Sequence, residues 1–76
     1  MNDLKAQFQD MIDEAWRVYN ELHEEEAATG YDDAMDMAER REAEGFALGL
    51  EAAYTFIYAE HPNQNVEPNY YPEEAI

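Results

Sequence analysis

Residues 4–22, LKAQFQDMIDEAWRVYNEL, carry apolar side chains at alternating steps of four and three residues. The repeat consists of Leu4, Phe8, Met11, Ala15, Val18 and Leu22, and it is widened on one side by Ile12, Trp16 and Tyr19. Because an α-helix turns once every about 3.6 residues, these positions fall on one broad face of a helix. The spacing predicts an amphipathic helix over about residues 3–28, with Asn2 or Asp3 as its N-cap.

The segment Thr29-Gly30-Tyr31-Asp32 follows, and its residues are typical of a boundary between two helices. Gly30 can adopt the left-handed conformation that ends a helix, and Thr29 with Asp32 matches a capping box. A second helix is therefore predicted over about residues 30–60, since Pro62 cannot continue it. Its predicted packing seam consists of Met35, Ala38, Gly45, Gly49, Ala52, Phe56 and Ala59, with Phe46, Leu50, Ala53 and Ile57 beside it.

Gly45 and Gly49 stand one turn apart on this seam, with Phe46 next to the first of them. Glycine in a helix interior costs up to about 1 kcal/mol relative to alanine, so a glycine pair on a packing face indicates a close helix approach. We therefore expect Gly45, Gly49 and Phe46 to pack against another helix. The alternative is a glycine pair that is tolerated without such a role, or that kinks the helix.

The short connector folds the two helices into an antiparallel hairpin, so the predicted fold class is all-α. Residues 1–60 form this hairpin, and residues 61–76, which contain three prolines and two tyrosines, form an extended C-terminal tail. The first helix has two adjacent apolar stripes, which is more than one facing helix can cover. We expect a homodimer that forms a four-helix bundle, or else a monomer closed by the tail.

Charge is the strongest feature of the composition. The 76 residues include 19 Asp or Glu and 4 Lys or Arg, for a net charge of -15, and no cysteine. This surplus of carboxylates opposes direct binding to nucleic acid and to anionic membranes, because both are bound through Lys and Arg. There is no apolar signal segment and no run long enough to span a membrane, so we expect a cytoplasmic protein with a basic protein partner.

The hairpin gathers charge in the half nearest the connector, residues 21–44, which we call the turn half. It holds ten carboxylates against two arginines. Glu21 and Glu25 are one turn apart, a rise of about 6 Å that is comparable with the charge spacing along a nucleic-acid backbone. The predicted partner-binding residues are Glu21, Glu24, Glu25, Glu26, Asp32, Asp33, Asp36, Glu39 and Tyr31, together with Tyr70 and Tyr71 of the tail.

Motifs for catalysis and for metal or cofactor binding are weak in this sequence. His23 and His61 are isolated, and neither a Glu-x-x-His pair nor a calcium-binding loop is present. The acidic pairs of the turn half match only part of the carboxylate cluster that helical nucleoside-triphosphate pyrophosphohydrolases use to hold magnesium. We expect no enzymatic activity, no metal and no cofactor.

In size, in charge and in its acidic run from Glu21 to Glu44, the chain resembles the small, acidic, mostly helical phage proteins that mimic DNA. Those proteins disarm host nucleic-acid-binding proteins such as restriction enzymes and CRISPR effectors. The resemblance implies an inhibitor that acts in the host cytoplasm and whose carboxylates occupy a cationic groove of its target. The alternative is a structural or adaptor hairpin that binds a protein through aromatic and tail contacts, with the charge serving solubility.

Overall fold

The computed structural model describes residues 3–28, residue 30 and residues 34–69. Within them, helix α1 spans Leu4–Ala28 and helix α2 spans Ala34–Tyr58. Asp3 caps α1, because its Oδ1 accepts a hydrogen bond from the backbone N–H of Ala6 at 3.1 Å. Gly30, with a φ of 72°, has the left-handed conformation expected just past the end of a helix. The predicted capping box of Thr29 and Asp32 lies outside the described residues.

The two helices run antiparallel, as the contacts along their length show. Phe8, near the start of α1, meets Tyr54, near the end of α2, with ring centroids 5.5 Å apart in edge-to-face geometry. Near the connector, the side chain of Glu26 lies 2.6 Å from that of Arg40. The prediction of two helices that pack against each other in an all-α fold is therefore confirmed.

The hydrophobic core is small and rich in aromatic side chains. Trp16 and Tyr19 meet edge to face, with ring centroids 5.4 Å apart. The core consists of Ile12, Ala15, Trp16, Tyr19, Ala47 and Tyr54, and Phe8, Ala43, Leu50, Tyr58 and Val66 pack against it. A single core in a chain this short contributes only a few kcal/mol, so contacts beyond the helix pair matter for stability.

Helix α1 contacts α2 through one side of its apolar face, where Phe8 and Ala15 of the predicted repeat lie beside the flanking residues. Leu4, Met11 and Val18, which belong to the predicted repeat, are 67%, 53% and 42% exposed. Trp16 and Tyr19, on the flank, are buried. Helix α1 is oriented with its large rings toward α2, because burying these rings removes more apolar area from water than burying Leu4, Met11 and Val18 would.

The predicted seam of α2 does not face α1, for the same kind of reason. Gly45 and Gly49 are exposed, and a Cβ atom built on either would meet nothing within 4 Å. Phe46 is also exposed, so the expected close approach of a helix at these three residues is absent from the hairpin. Gly45 precedes Tyr54 by nine residues, and at about 100° per residue this places it on the opposite side of α2 from the core.

After α2, residues 59–69 turn back and follow α1. The backbone N–H of Asn63 donates to Oε1 of Gln9 at 2.8 Å, and Nε2 of Gln9 donates to the Asn63 carbonyl at 2.9 Å. Farther along, Nδ2 of Asn20 donates to the carbonyl of Glu67, and Oδ1 of Asn20 accepts from the backbone N–H of Asn69. This segment therefore covers the polar side of α1, parallel to the helix.

Candidate interaction surfaces

The turn half presents carboxylates to solvent from both helices. Glu21, Glu24 and Glu25 are exposed on α1, and Glu39 and Glu42 are exposed on α2. The antiparallel packing of the helices brings these residues to the same half of the hairpin. Four of the five were predicted to bind a partner. We call these five glutamates the acidic surface.

The other predicted partner-binding residues are placed as follows. Asp36 belongs to α2, and the position of its side chain is not among those described. Outside the described residues lie Tyr31, Asp32, Asp33, Tyr70 and Tyr71. Among the described residues, the acidic surface therefore consists of exposed glutamates.

Glu26 is buried, which contradicts its predicted place on the partner-binding surface. Its side chain is 0% exposed, and its Oε2 accepts a hydrogen bond of 2.6 Å from Nε of Arg40, which is 4% exposed. Glu26 follows the core residue Tyr19 by seven residues, or about two turns, and so lies on the face of α1 that meets α2. Two charges removed from water in this way are tolerated because they face each other.

The buried pair leaves the net charge of the turn half unchanged. The guanidinium of Arg40 lies inside the hairpin against Glu26, so one cation and one carboxylate leave the surface together. Of the other cations, Lys5 and Arg17 lie outside the turn half and are paired with Glu60 and Glu14. Arg41 is exposed in the turn half. The exposed carboxylates of that half therefore keep most of their negative charge.

An apolar groove lies between the two helices. It is lined by Met11, Glu14, Ala15, Val18, Ala43 and Phe46. Met11 and Val18 each stand two residues, or about 200° round α1, from Gln9 and Asn20, which hold residues 63–69. The groove and the C-terminal segment therefore occupy opposite sides of the hairpin.

The polar contacts that hold residues 63–69 were not predicted from the sequence. Nδ2 of Asn65 donates to Oδ2 of Asp13 at 3.0 Å, and the hydroxyl of Tyr19 donates to the carbonyl of Asn69. The signal for them was present, because Gln9, Asp13 and Asn20 follow one another at steps of four and seven residues. Such a polar stripe, next to an asparagine-rich segment, fits a hydrogen-bonded contact that needs no regular secondary structure.

The described residues offer little for metal chemistry. No three His, Asp or Glu side chains among them are grouped so as to hold a metal ion. His23 is buried, and its ring packs against that of Tyr19 with centroids 6.1 Å apart. Within the part of the chain that the structure describes, neither helix has the length and apolar character needed to cross a membrane.

Comparisons with protein-family models, with curated protein sequences and with solved structures gave no significant match. Two surfaces of the hairpin itself indicate what it can bind, the acidic surface of the turn half and the apolar groove.

Proposed function

We propose that this protein is an acidic inhibitor that occupies the cationic surface of a host nucleic-acid-binding protein in place of DNA or RNA. One observation carries the proposal. Glu21, Glu24 and Glu25 on α1 and Glu39 on α2 are exposed in the same half of the hairpin, where Arg41 is the exposed arginine among the described residues. The surface that results has the sign and the density of charge that a phosphate-binding site accepts.

The mechanism is competition for the same lysines and arginines. Glu21 and Glu25 are one turn apart on α1, so neighbouring carboxylates are spaced by about 6 Å along the helix. Cationic side chains that contact phosphates also form charge-assisted hydrogen bonds with carboxylates. Long-range attraction accelerates the encounter of the two proteins, and salt weakens it. Binding should therefore be fast, sensitive to salt and exclusive with nucleic acid.

The proposal includes a dimer that forms a four-helix bundle. Met11, Val18 and Phe46 support it, because these apolar side chains are exposed beside the groove. It also includes a phage origin and action in the cytoplasm of the host, where such a target is found. No enzymatic step, cofactor or direct contact with nucleic acid is required.

The first experiment identifies the target. Bacterial proteins retained by a heparin column, which enriches nucleic-acid-binding proteins, are passed over the immobilised chain at low salt and eluted with DNA. The eluted protein is purified, and its affinity for this chain is measured by calorimetry at low and high salt, with and without DNA. We expect affinity to fall as salt rises and to be lost when DNA is bound. If DNA releases no protein from the immobilised chain, the proposal is contradicted.

Variants of the acidic surface then locate the contact. Replacing Glu21, Glu24 and Glu25 by glutamine should weaken binding about tenfold at low salt. Each exposed ion pair between a glutamate and a cation of the target contributes about 0.2–1 kcal/mol. The control removes the same charge outside the turn half and outside the groove, with the substitutions Asp10→Asn, Glu60→Gln and Glu67→Gln. Equal losses in the two variants would show that net charge, and not the acidic surface, governs binding.

The fixed course of residues 61–69 along α1 favours a second candidate function. These residues carry the chain as far as Asn69, which is hydrogen bonded to Asn20. An adaptor that binds a protein through aromatic and tail contacts would retain its partner at high salt and in the presence of DNA. Tyr70→Ala and Tyr71→Ala should then weaken binding, whereas the glutamine substitutions on α1 should have no effect.

A further inference from the structure

The second half of α2 is apolar on all sides. Residues 45–59, GFALGLEAAYTFIYA, contain one charged residue, Glu51, and its Oε2 accepts a hydrogen bond from the indole N–H of Trp16 at 2.8 Å. A helix segment that is apolar all round is typical of a buried helix. Phe46 and Ile57 are nevertheless 61% and 60% exposed. This part of the hairpin has more apolar surface than the described chain covers.

The exposed apolar side chains of the two helices lie on one side of the hairpin. Phe46 and Ile57 are eleven residues apart, which is about three turns, so they share one side of α2. Phe46 lines the groove together with Met11 and Val18 of α1. Leu4 precedes Met11 by seven residues, or about two turns, and continues the same stripe. We call Leu4, Met11, Val18, Phe46 and Ile57 the apolar face.

We infer that the apolar face binds the same face of a second copy of this chain, in an antiparallel orientation that places the two turn halves at opposite ends of the dimer. The chemistry of the groove selects this occupant. Its one charged lining residue, Glu14, is paired with Arg17 at 3.4 Å, so the groove offers little to a cationic partner. A basic protein is attracted instead to the turn half. A second copy supplies a matching apolar surface.

The hairpin is large enough for the interface of a stable dimer. Such an interface buries about 800 Å² on each copy. The molecule measures 45 × 26 × 17 Å along its principal axes. On the broadest face of the molecule, which is 26 Å wide, that area is a band about 31 Å long. A face of this molecule therefore has room for such a contact.

Charge determines the orientation of the two copies. A parallel arrangement would place the turn halves side by side, and each holds ten carboxylates against two arginines. Like charges within about 8 Å of each other are poorly screened at physiological salt, so this arrangement is disfavoured. The antiparallel arrangement places each turn half beside the other half of the second copy, which carries Lys5 and Arg17. A two-fold axis through the groove gives this geometry.

The first test is the mass of the full chain by sedimentation equilibrium, from micromolar to millimolar concentration. We expect the mass to rise from 8.9 kDa toward twice that value. Added salt should strengthen the dimer because it screens repulsion between the copies, whereas it should weaken binding to a basic target. A chain that stays monomeric at every concentration and salt would overturn the inference and leave the groove to a different protein. The acidic-surface proposal is tested separately, by the glutamine variants.

Two variants test which surface is used. Phe46→Glu should weaken the dimer by about 30-fold or more, as expected for a central apolar contact, and Val18→Lys should do so from the opposite wall of the groove. Phe56→Glu is the control, because Phe56 is 90% exposed and lies beside His61 and Pro62, away from the groove. Circular dichroism verifies that each variant keeps its helices. A dimer that survives the first two substitutions, or is lost with the third, would overturn the assignment.

A distance measurement tests the orientation. The chain has no cysteine, so a spin label can be attached at Glu25→Cys alone, at an exposed position in the turn half. Glu25 lies about 16 Å along α1 from the middle of the groove, so the two labels of an antiparallel dimer should be about 30 Å apart. Labels closer than about 20 Å would indicate parallel copies and would overturn the orientation.

Discussion

Nε of Arg40 lies 2.6 Å from Oε2 of Glu26, and both side chains are sealed between the two helices. An unpaired charge at such a position is costly, so the pair favours the register in which these two residues meet. The same pair removes one arginine and one carboxylate of the turn half from the surface, so the net charge of that half is unchanged. One contact therefore affects both the packing of the hairpin and which side chains a partner meets.

Loss of the guanidinium should destabilise the fold. Arg40→Met leaves the Glu26 carboxylate buried without its cation, and we expect the free energy of unfolding to fall by about 3 kcal/mol. Urea denaturation followed by circular dichroism, at one protein concentration, measures this loss. The control Arg41→Met changes an exposed neighbour and should alter stability by less than about 0.5 kcal/mol.

A double variant separates the cost of the orphaned charge from the value of the pair. Glu26→Leu combined with Arg40→Met replaces both charges by apolar groups, so most of the lost stability should return. If Arg40→Met lowered the free energy of unfolding no more than Arg41→Met, the ion pair would not be sealed from solvent.

The end of α2 offers a stabilising substitution. Ala59 has a φ of 55°, and its N–H donates to the carbonyl of Thr55 at 2.9 Å. A non-glycine residue in this left-handed conformation costs about 1 kcal/mol, so Ala59→Gly should raise the free energy of unfolding by about that amount. Ala52→Gly, at an exposed position inside α2, should lower it by about 1 kcal/mol. Thermal melts that show both variants destabilised would contradict the left-handed helix end.

The two helices could be predicted from the sequence because their signals are local. Asp3 and Gly30 mark the ends of α1 through hydrogen-bond and backbone geometry that depends on a few neighbouring residues. The buried side of α1 could not be predicted in the same way. Val18 and Tyr19 are adjacent in the sequence, and both satisfy the helical repeat. Which of the two is buried depends on how their side chains fit against α2, and that fit is a property of the folded helix pair.

The acidic surface was predicted only in part for a related reason. Glu24, Glu25 and Glu26 follow one another in the sequence, and nothing within this acidic run distinguishes the third from the other two. Glu26 differs because Arg40, fourteen residues later, reaches it across the helix pair. Long-range pairing of this kind appears only when the register of the hairpin is known.

The C-terminal segment should be held by Asn20. The amide of Asn69 donates to Oδ1 of Asn20 at 2.8 Å, so it should exchange slowly with solvent. Asn20→Ala removes this acceptor and the donor to the Glu67 carbonyl, and it should lower stability by about 1 kcal/mol. Hydrogen exchange monitored by NMR should show faster exchange at Asn69, with the amides of α2 little changed. Equal protection in both proteins would mean that other contacts hold the segment.

The same chemical change at two glycines should have opposite effects. Gly45→Ala adds a methyl group to the open side of α2, where it meets nothing within 4 Å, and should raise the free energy of unfolding by up to about 1 kcal/mol. Gly30→Ala is the control, since the φ of 72° at Gly30 is costly for alanine, and it should lower stability by about 1 kcal/mol. Urea denaturation measures both variants. Sedimentation should show that Gly45→Ala leaves the dimer intact, because Gly45 stands about 100° round α2 from Phe46. A Gly45→Ala variant that unfolds more easily, or that no longer dimerises, would instead indicate that a second copy packs closely against Gly45 and Gly49.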